Sequence, residues 1–151
     1  MLHTSKVVCE ELPLVNDLIK KSKQHWYPED GYVEAAMKFI RIDSEWVSEN
    51  EGLCLYEDKQ LVGFLGYSKY EDYWYLEHLW IDPQKIGHQY GTKALNLLKK
   101  MATDSGIHKI SLLPEPMAEG FYETNGAQFT GLDVPSCCPG GPVFKEMVFI
   151  L

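Results

Sequence analysis

The segment that most constrains the fold is LEHLWIDPQKIGHQYGTKALNLLKKMA, residues 76–102, in which a strand-like run leads through two glycines into a helix-like run. Residues 74–81 carry bulk on both alternating faces, which is typical of a central strand that is covered on both sides. After Gly91 the apolar residues recur at helical spacing, on a stripe formed by Ala94, Leu95, Leu98 and Ala102. A covered strand that turns into an amphipathic helix predicts an α/β domain.

The whole sequence predicts the order β-α-α-β-β-β-α-β-α-β-β, a single mixed α/β domain over residues 1–151 with a mostly antiparallel sheet. The first strand is expected in KVVCEE, and the helix after it should turn Leu14, Leu18 and Ile19 inward. DGYVEAAMKFIRIDSEW predicts one continuous second helix. A chain of 151 residues is long enough for one well-buried core.

Composition argues against several classes of function. The net charge is −8 without a basic cluster, so we expect no nucleic-acid partner. No apolar run approaches the roughly 18 residues of a membrane span, and the N-terminus lacks the apolar core of a secretory signal. The four cysteines are Cys9, Cys54, Cys137 and Cys138, and no two of them form a CxxC motif. This pattern predicts a cytoplasmic protein without a metal site.

The glycine-marked loop is a candidate phosphate site. A helix N-terminus has unpaired backbone N–H groups and a partial positive charge, so it attracts phosphate. Glycines such as Gly87 and Gly91 let the backbone approach an anion closely. The alternative is that these glycines only make a turn between strand and helix.

Two side chains are candidates for acid–base chemistry. Glu77 lies on the strand that feeds the loop, and a carboxylate on a covered strand is expected to be at least partly buried and to need a partner. His78 should point to the opposite face of the sheet and so belong to another environment. Tyr122, late on a short helix in EGFYETNGA, is either an anchor with a solvated hydroxyl or a general acid for a departing thiolate.

LEHLWIDP, the glycine loop, GTKALNLL and AEGFYETNGA together resemble the GNAT superfamily of acyl-CoA-dependent N-acyltransferases, and the resemblance covers nearly the whole chain. It implies a sheet splayed at its fourth strand, acetyl-CoA as cosubstrate, no metal, Glu77 as a base and Tyr122 as the general acid. It also implies that the coenzyme is bound by one strand end and one loop, which comprise Leu79, Trp80, Ile81, Gly87, His88, Gln89, Tyr90, Gly91 and Thr92.

Three positions depart from the pattern of that superfamily, which is Gln/Arg-x-x-Gly-x-Gly/Ala in the loop. Aligned through Gly91, Gln89 stands where the pattern has its first glycine; aligning through Gln84 instead displaces the helix stripe. A left-handed backbone at Gln89 would cost roughly 1–2 kcal/mol, about tenfold or somewhat more in coenzyme affinity. Met117 and Gly141 replace an asparagine and an arginine of close relatives. The alternative function is therefore a degenerate acyl-CoA-binding sensor or protein-interaction domain.

The acceptor is expected to be a small-molecule or peptide amine. In this superfamily the two N-terminal helices border the acceptor site, and here they supply Trp26, Tyr27 and Tyr32 among acidic residues. Such a lining suits a cationic amine, although the same aromatic residues could serve the core and its rim. A homodimer is possible because VFKEMVFIL is apolar enough to join an interface.

Overall fold

The protein is described here by a computed structural model over residues 2–28, 31–136 and 140–151. Its elements are β1 (Leu2–Lys6), α1 (Leu12–Trp26), α2 (Tyr32–Ile40), α3 (Ser44–Glu49), β2 (Glu51–Glu57), β3 (Gln60–Lys69), β4 (Trp74–Ile81), α4 (Tyr90–Asp104), β5 (Lys109–Leu112), α5 (Glu119–Thr124), β6 (Gln128–Pro135) and β7 (Val143–Ile150). Short 3-10 turns at Cys9–Glu11, Pro83–Lys85 and Pro116–Ala118 precede α1, α4 and α5.

The strands form one seven-stranded sheet in the order β1-β2-β3-β4-β5-β7-β6. Every neighbouring pair is antiparallel except β4 and β5, which run parallel. That parallel pair is short, because only Trp74–Leu76 of β4 pairs with Ile110–Leu112 of β5. Beyond Leu76 the two strands separate. The predicted mixed α/β fold with a sheet splayed at the fourth strand is confirmed.

Helices cover both faces of the sheet and create two apolar layers. On one face α4 buries the predicted stripe, since Ala94, Leu95, Leu98 and Ala102 are all nearly inaccessible. On the other face α1 buries Val15, Leu18 and Ile19 against Phe64 of β3. The covered central strands follow from this two-sided packing, as the bulk on both faces of residues 74–81 predicts.

Local boundaries near the N-terminus differ from the predictions. The first strand lies at Leu2–Lys6 rather than in KVVCEE, and Cys9 is exposed in the turn that follows. Leu14 is 58% exposed and Val15 takes its place in the core. Cys54 is buried in β2, whereas Cys137 and Cys138 lie outside the described residues.

The predicted second helix is two helices, and a pair of polar side chains explains the break. Asn16 of α1 hydrogen-bonds both backbone groups of Ile42, accepting from its N–H at 2.7 Å and donating to its carbonyl at 2.8 Å. Asp43 then accepts the backbone N–H of Trp46 at 2.8 Å and caps α3. The chain therefore stops at Ile40, runs extended past Ile42 and begins a new helix that places Trp46 against the sheet.

Candidate active site

The separation of β4 from β5 opens a cleft with a volume of about 420 Å³. One wall is the exposed edge of β4, and the others come from α1, the loop before α4, and the segment from the end of β5 to α5. Most residues predicted to bind coenzyme, substrate or protons line this cleft, namely Trp26, Glu77, Leu79, Trp80, Ile81, Gly87, Gln89, Tyr90, Gly91, Thr92 and Tyr122. Met117, which departs from the superfamily pattern, also lines it.

The backbone of β4 presents unpaired groups to the cleft. Asp82 donates its N–H to the Val62 carbonyl at 2.8 Å, and in an antiparallel ladder the residues that bond a given neighbour alternate. Trp80 therefore directs its backbone groups to β3, while Leu79 and Ile81 direct theirs to the side where β5 has departed. Ser22 of α1 donates to the Ile81 carbonyl at 3.2 Å, whereas neither backbone group of Leu79 has a partner among the described residues. Trp80 contributes its side chain to the cleft instead.

The loop before α4 contains two residues with positive φ. Gly87 has a φ of 94° and Gln89 a φ of 63°, so Gln89 is left-handed where a glycine would cost less. This is the conformation for which the sequence predicts a cost of roughly 1–2 kcal/mol. The accompanying loss of coenzyme affinity stays a prediction. The helix begins at Tyr90, and its first backbone N–H groups have no carbonyl one turn earlier within the helix.

Side chains around this loop fix its position. A Cβ at Gly91 would lie 2.9 Å from the Phe121 ring of α5, so glycine permits close packing of the two helix starts. His88 stacks on Tyr90 with ring centroids 5.8 Å apart and is not among the residues that line the cleft. Lys85 does line it and is paired with Glu57 of β2 at 2.7 Å. The loop end of the cleft thus contains a positive charge that sequence reasoning missed.

A β-bulge determines the surroundings of Glu77. In the pairing of β3 with β4, Gly66 faces His78 and Tyr67 faces Leu76, so Glu77 is the extra residue. A bulge adds one residue to one strand and reverses the alternation of side chains beyond it. His78 and Trp80 consequently face α1, although Leu76 faces α4. The expectation that Glu77 and His78 serve opposite faces is wrong, since Glu77 Oε1 and His78 Nε2 lie 3.8 Å apart.

Glu77 is held at the rim of the cleft rather than deeply buried. Its side chain is 34% exposed, and its Oε2 accepts a hydrogen bond from Trp46 Nε1 at 3.1 Å. His78 is 4% exposed and accepts from Trp80 Nε1 at its Nδ1, at 2.9 Å. Burial, followed by the charge of Lys23, lowers the pKa of His78 to about 4. The neutral imidazole then carries its proton on Nε2, which faces Glu77.

Tyr122 is 7% exposed and lines the cleft from α5. Its hydroxyl makes no hydrogen bond to any other residue within 2–28, 31–136 and 140–151. Burial is the main reason that the pKa of Tyr122 is raised well above its ordinary value, and the negative charge of Glu115 adds to it. The residue therefore offers a neutral phenol without a partner to whatever occupies the cleft.

The three aromatic residues predicted to bind the acceptor do not all lie in the cleft. Trp26 lines the cleft, whereas Tyr27 and Tyr32 are absent from its lining and stand beside a buried ion pair. In that pair Lys23 contacts Glu115 at 2.6 Å, and Tyr27 donates to the other Glu115 oxygen at 2.6 Å. Sequence reasoning missed both charged residues. The inward spacing of Lys23 after Ile19 was the available signal, but lysine on a helix is usually exposed.

Two general properties concern the described part of the chain. Among residues 2–28, 31–136 and 140–151, no group of three or more His, Cys, Asp or Glu side chains could hold a metal ion. No helix in the same ranges is both long and apolar enough to cross a membrane.

Solved structures with this fold include several N-acetyltransferases. The PaiA N-acetyltransferase of Thermoplasma acidophilum, solved in complex with coenzyme A, has a TM-score of 0.86 at 17% identity, with 100% of this chain and 99% of that chain covered. A GCN5-related N-acetyltransferase of Rhodopseudomonas palustris has a TM-score of 0.83 at 18% identity, with 99% and 95% covered. An acetyltransferase of Streptococcus agalactiae reaches 0.76 at 17% identity, with 99% and 98% covered.

The fold is therefore that of N-acetyltransferases. The acetyltransferase (GNAT) family matches residues 14–127, which is most of the chain, and the protein belongs to that family. No curated protein sequence matches the chain. The resemblance predicted from the strand, loop and helix motifs is confirmed.

Proposed function

We propose that this protein transfers the acetyl group of acetyl-CoA to a primary amine by direct attack in a ternary complex. The observation that carries the proposal is the cleft itself. The cleft is lined by Leu79, by the start of α4 and by Tyr122. Leu79 lies beyond the paired part of β4 and β5, and the Tyr122 hydroxyl has no hydrogen-bond partner among the described residues. Of the two described cysteines, neither Cys9 nor Cys54 lines the cleft, which favours direct attack over a cysteine-bound intermediate.

The residues present fit the coenzyme. Backbone N–H groups at the end of the Gly87–Thr92 loop, where α4 begins, suit the diphosphate because a helix start favours negative charge. Lys85 lies next to this loop and adds a cation. The pantetheine amides suit the backbone of Leu79 and Ile81, much as a further strand would. The coenzyme supplies the activated acetyl group, and the chain binds and orients it.

Glu77 is the proposed base. An amine with a pKa near 10.4 is almost entirely ammonium at pH 7, and removing its proton costs about 4.6 kcal/mol. A carboxylate fixed by Trp46 at the cleft rim accepts that proton directly or through water. The nitrogen then attacks the thioester carbon, and a backbone N–H of Leu79 or Ile81 stabilises the developing oxyanion.

Tyr122 is the proposed proton donor to the sulfur that leaves as the C–S bond breaks. Its raised pKa keeps the hydroxyl protonated across the physiological range. A phenol with a raised pKa is a weaker acid, so its hydrogen bond stabilises the thiolate before the proton moves. The ammonium loses one proton to the solvent through Glu77 before the attack, and the nitrogen loses a second after it. That second proton replaces the one that Tyr122 gives to the sulfur, so the products are the amide, the thiol of CoA and one proton.

Calorimetric titration of acetyl-CoA, with CoA and ATP as comparison ligands, tests the coenzyme part of the proposal. Micromolar binding of acetyl-CoA would show that Gln89 is tolerated in the loop, and an amine screen with a free-thiol readout follows. Absence of binding at millimolar coenzyme would refute the enzyme proposal. It would then favour the alternative of a degenerate domain, which Gln89 and Met117 at the cleft support.

A further inference from the structure

The charges on the cleft wall are unequally distributed. Among the described residues that line it, the charged ones are Glu77, Glu115 and Lys85. Lys85 is at the loop end and is already paired with Glu57 at 2.7 Å. Glu77 lies at the narrow end, where β4 and β5 separate, about 13 Å along the strand from Ile81 at roughly 3.3 Å per residue. Glu115 is in turn neutralised by Lys23 at 2.6 Å, so Glu77 is the one charged lining residue without an oppositely charged partner in the described part of the chain, and the end of the cleft beside it is acidic.

Glu115 is firmly built into this wall. It lies between β5 and α5, and its side chain is 19% exposed. Lys23 binds one carboxylate oxygen and Tyr27 donates to the other, each at 2.6 Å. One contact comes from α1 and the other from Tyr27 directly after it, so the carboxylate is fixed against the C-terminal end of α1.

The surroundings of Lys23 stabilise a buried ammonium group. Its side chain is 4% exposed, and its Nζ lies over the rings of Tyr27, Tyr32 and Trp80 at 5.1, 5.3 and 5.8 Å from their centroids. Carboxylate and aromatic faces are the groups that bind an ammonium away from water. Since Lys23 is engaged by Glu115, no free cation remains among the described lining residues to receive a substrate carboxylate.

We propose that the acceptor is an amine that carries no carboxylate beside its amino group, and that Glu115 enforces this choice. The proposal rests on the proposed acetyl transfer to an amine. Simple amines and the amino groups of peptides meet the requirement, whereas free amino acids do not. A carboxylate next to the reacting nitrogen would lie near the negative charge of Glu77, while Glu115 already neutralises the Lys23 ammonium that could otherwise offset it. Such an uncompensated like-charge contact is strongly unfavourable.

The test compares acceptors in sets of three. Each set contains an amino acid, its amide and its decarboxylated amine, for example tyrosine, tyrosinamide and tyramine, or lysine, lysinamide and cadaverine. The amide has nearly the size of the amino acid without its charge. We expect kcat/KM for the amine and the amide to exceed that of the amino acid by about 100-fold, the scale of charge discrimination at an interface.

Variants then assign the discrimination to Glu115. Glu115→Gln leaves the Lys23 ammonium unpaired, so we expect the ratio of amide to amino acid to fall at least about tenfold through a gain in amino acid turnover. Lys23→Met combined with Glu115→Gln removes that cation and should restore part of the ratio. Glu123→Gln is the matched control, because Glu123 follows Glu115 by eight residues, on α5, but is exposed and outside the cleft.

The outcomes separate this inference from the acetyl transfer on which it rests. Equal turnover of amino acids and amides would overturn the inference and leave acetyl transfer standing. Rejection of the amide along with the amino acid would show selection by size and also overturn it. An unchanged ratio in folded Glu115→Gln would remove Glu115 as the selecting residue. If acetyl-CoA binds and no member of any set reacts, the proposed function fails as well.

Discussion

Replacing Lys23 by methionine should destabilise the protein more than any other loss of a lysine charge in the described ion pairs. Methionine keeps most of the aliphatic stem and its packing, so the change isolates the ammonium. The Lys23 side chain is 4% exposed and its partner Glu115 is 19% exposed. Loss of one member of a buried pair typically costs about 3–5 kcal/mol because the other charge is left unpaired.

Two features of the structure reduce this figure. Tyr27 still donates to Glu115 at 2.6 Å, and part of the carboxylate reaches water. We therefore expect the free energy of unfolding to fall by about 2–3 kcal/mol. For a domain of this size each kcal/mol corresponds to roughly 2–4 °C, so Tm should fall by about 5–10 °C.

Thermal and urea unfolding of Lys23→Met measure this directly. Lys100→Met is the control, since Lys100 pairs with Asp104 at the similar distance of 2.7 Å but the two side chains are 72% and 62% exposed. Exposed pairs contribute little, and we expect no measurable change in Tm there. A double-mutant cycle with Glu115→Gln should give a coupling free energy of about 1–3 kcal/mol. Equal effects of the two lysine substitutions would refute the reasoning.

Three further changes test the candidate site. Tyr122→Phe should lower kcat by about 100-fold, which is the scale on which general acids contribute. Tm and coenzyme affinity should change little, because the hydroxyl has no partner within the described structure. An unchanged kcat would remove Tyr122 from the mechanism. Glu77→Gln should move the rise of the pH–rate profile to higher pH, because deprotonation of the amine then depends on the solvent, and an unmoved profile would count against a base. His78 has a pKa of about 4 when folded against 6.5 when unfolded, so the unfolded chain binds more protons between these values and stability falls as pH drops through that window. From pH 7 to pH 5 the loss should be about 2 kcal/mol, and His78→Gln should flatten that slope in urea titrations; the same slope in both proteins would show that other groups cause it.

Much of this protein was determined by its local sequence. The α4 stripe is buried as its spacing predicts, because apolar residues at helical spacing lie on one side of a helix and pack against the core. The bulk on both faces of β4 predicted a central strand, and the order of strand, glycine loop and helix predicted the family and the loop at one end of the cleft. These features depend on contacts between residues close in the chain or on periodicity, which a sequence displays directly.

Tertiary structure alone decided the details that control chemistry. The bulge at Glu77 arises from pairing with β3 and brings Glu77 and His78 together, although alternation predicted opposite faces. Lys23 can be buried because it forms an ion pair with Glu115, which lies 92 residues later in the chain. Periodicity does not reveal such a distant partner. Gln89 adopts a left-handed conformation in the loop between β4 and α4, which its own preference does not predict. In each case long-range packing imposes a conformation or an environment that the residue's local preference opposes.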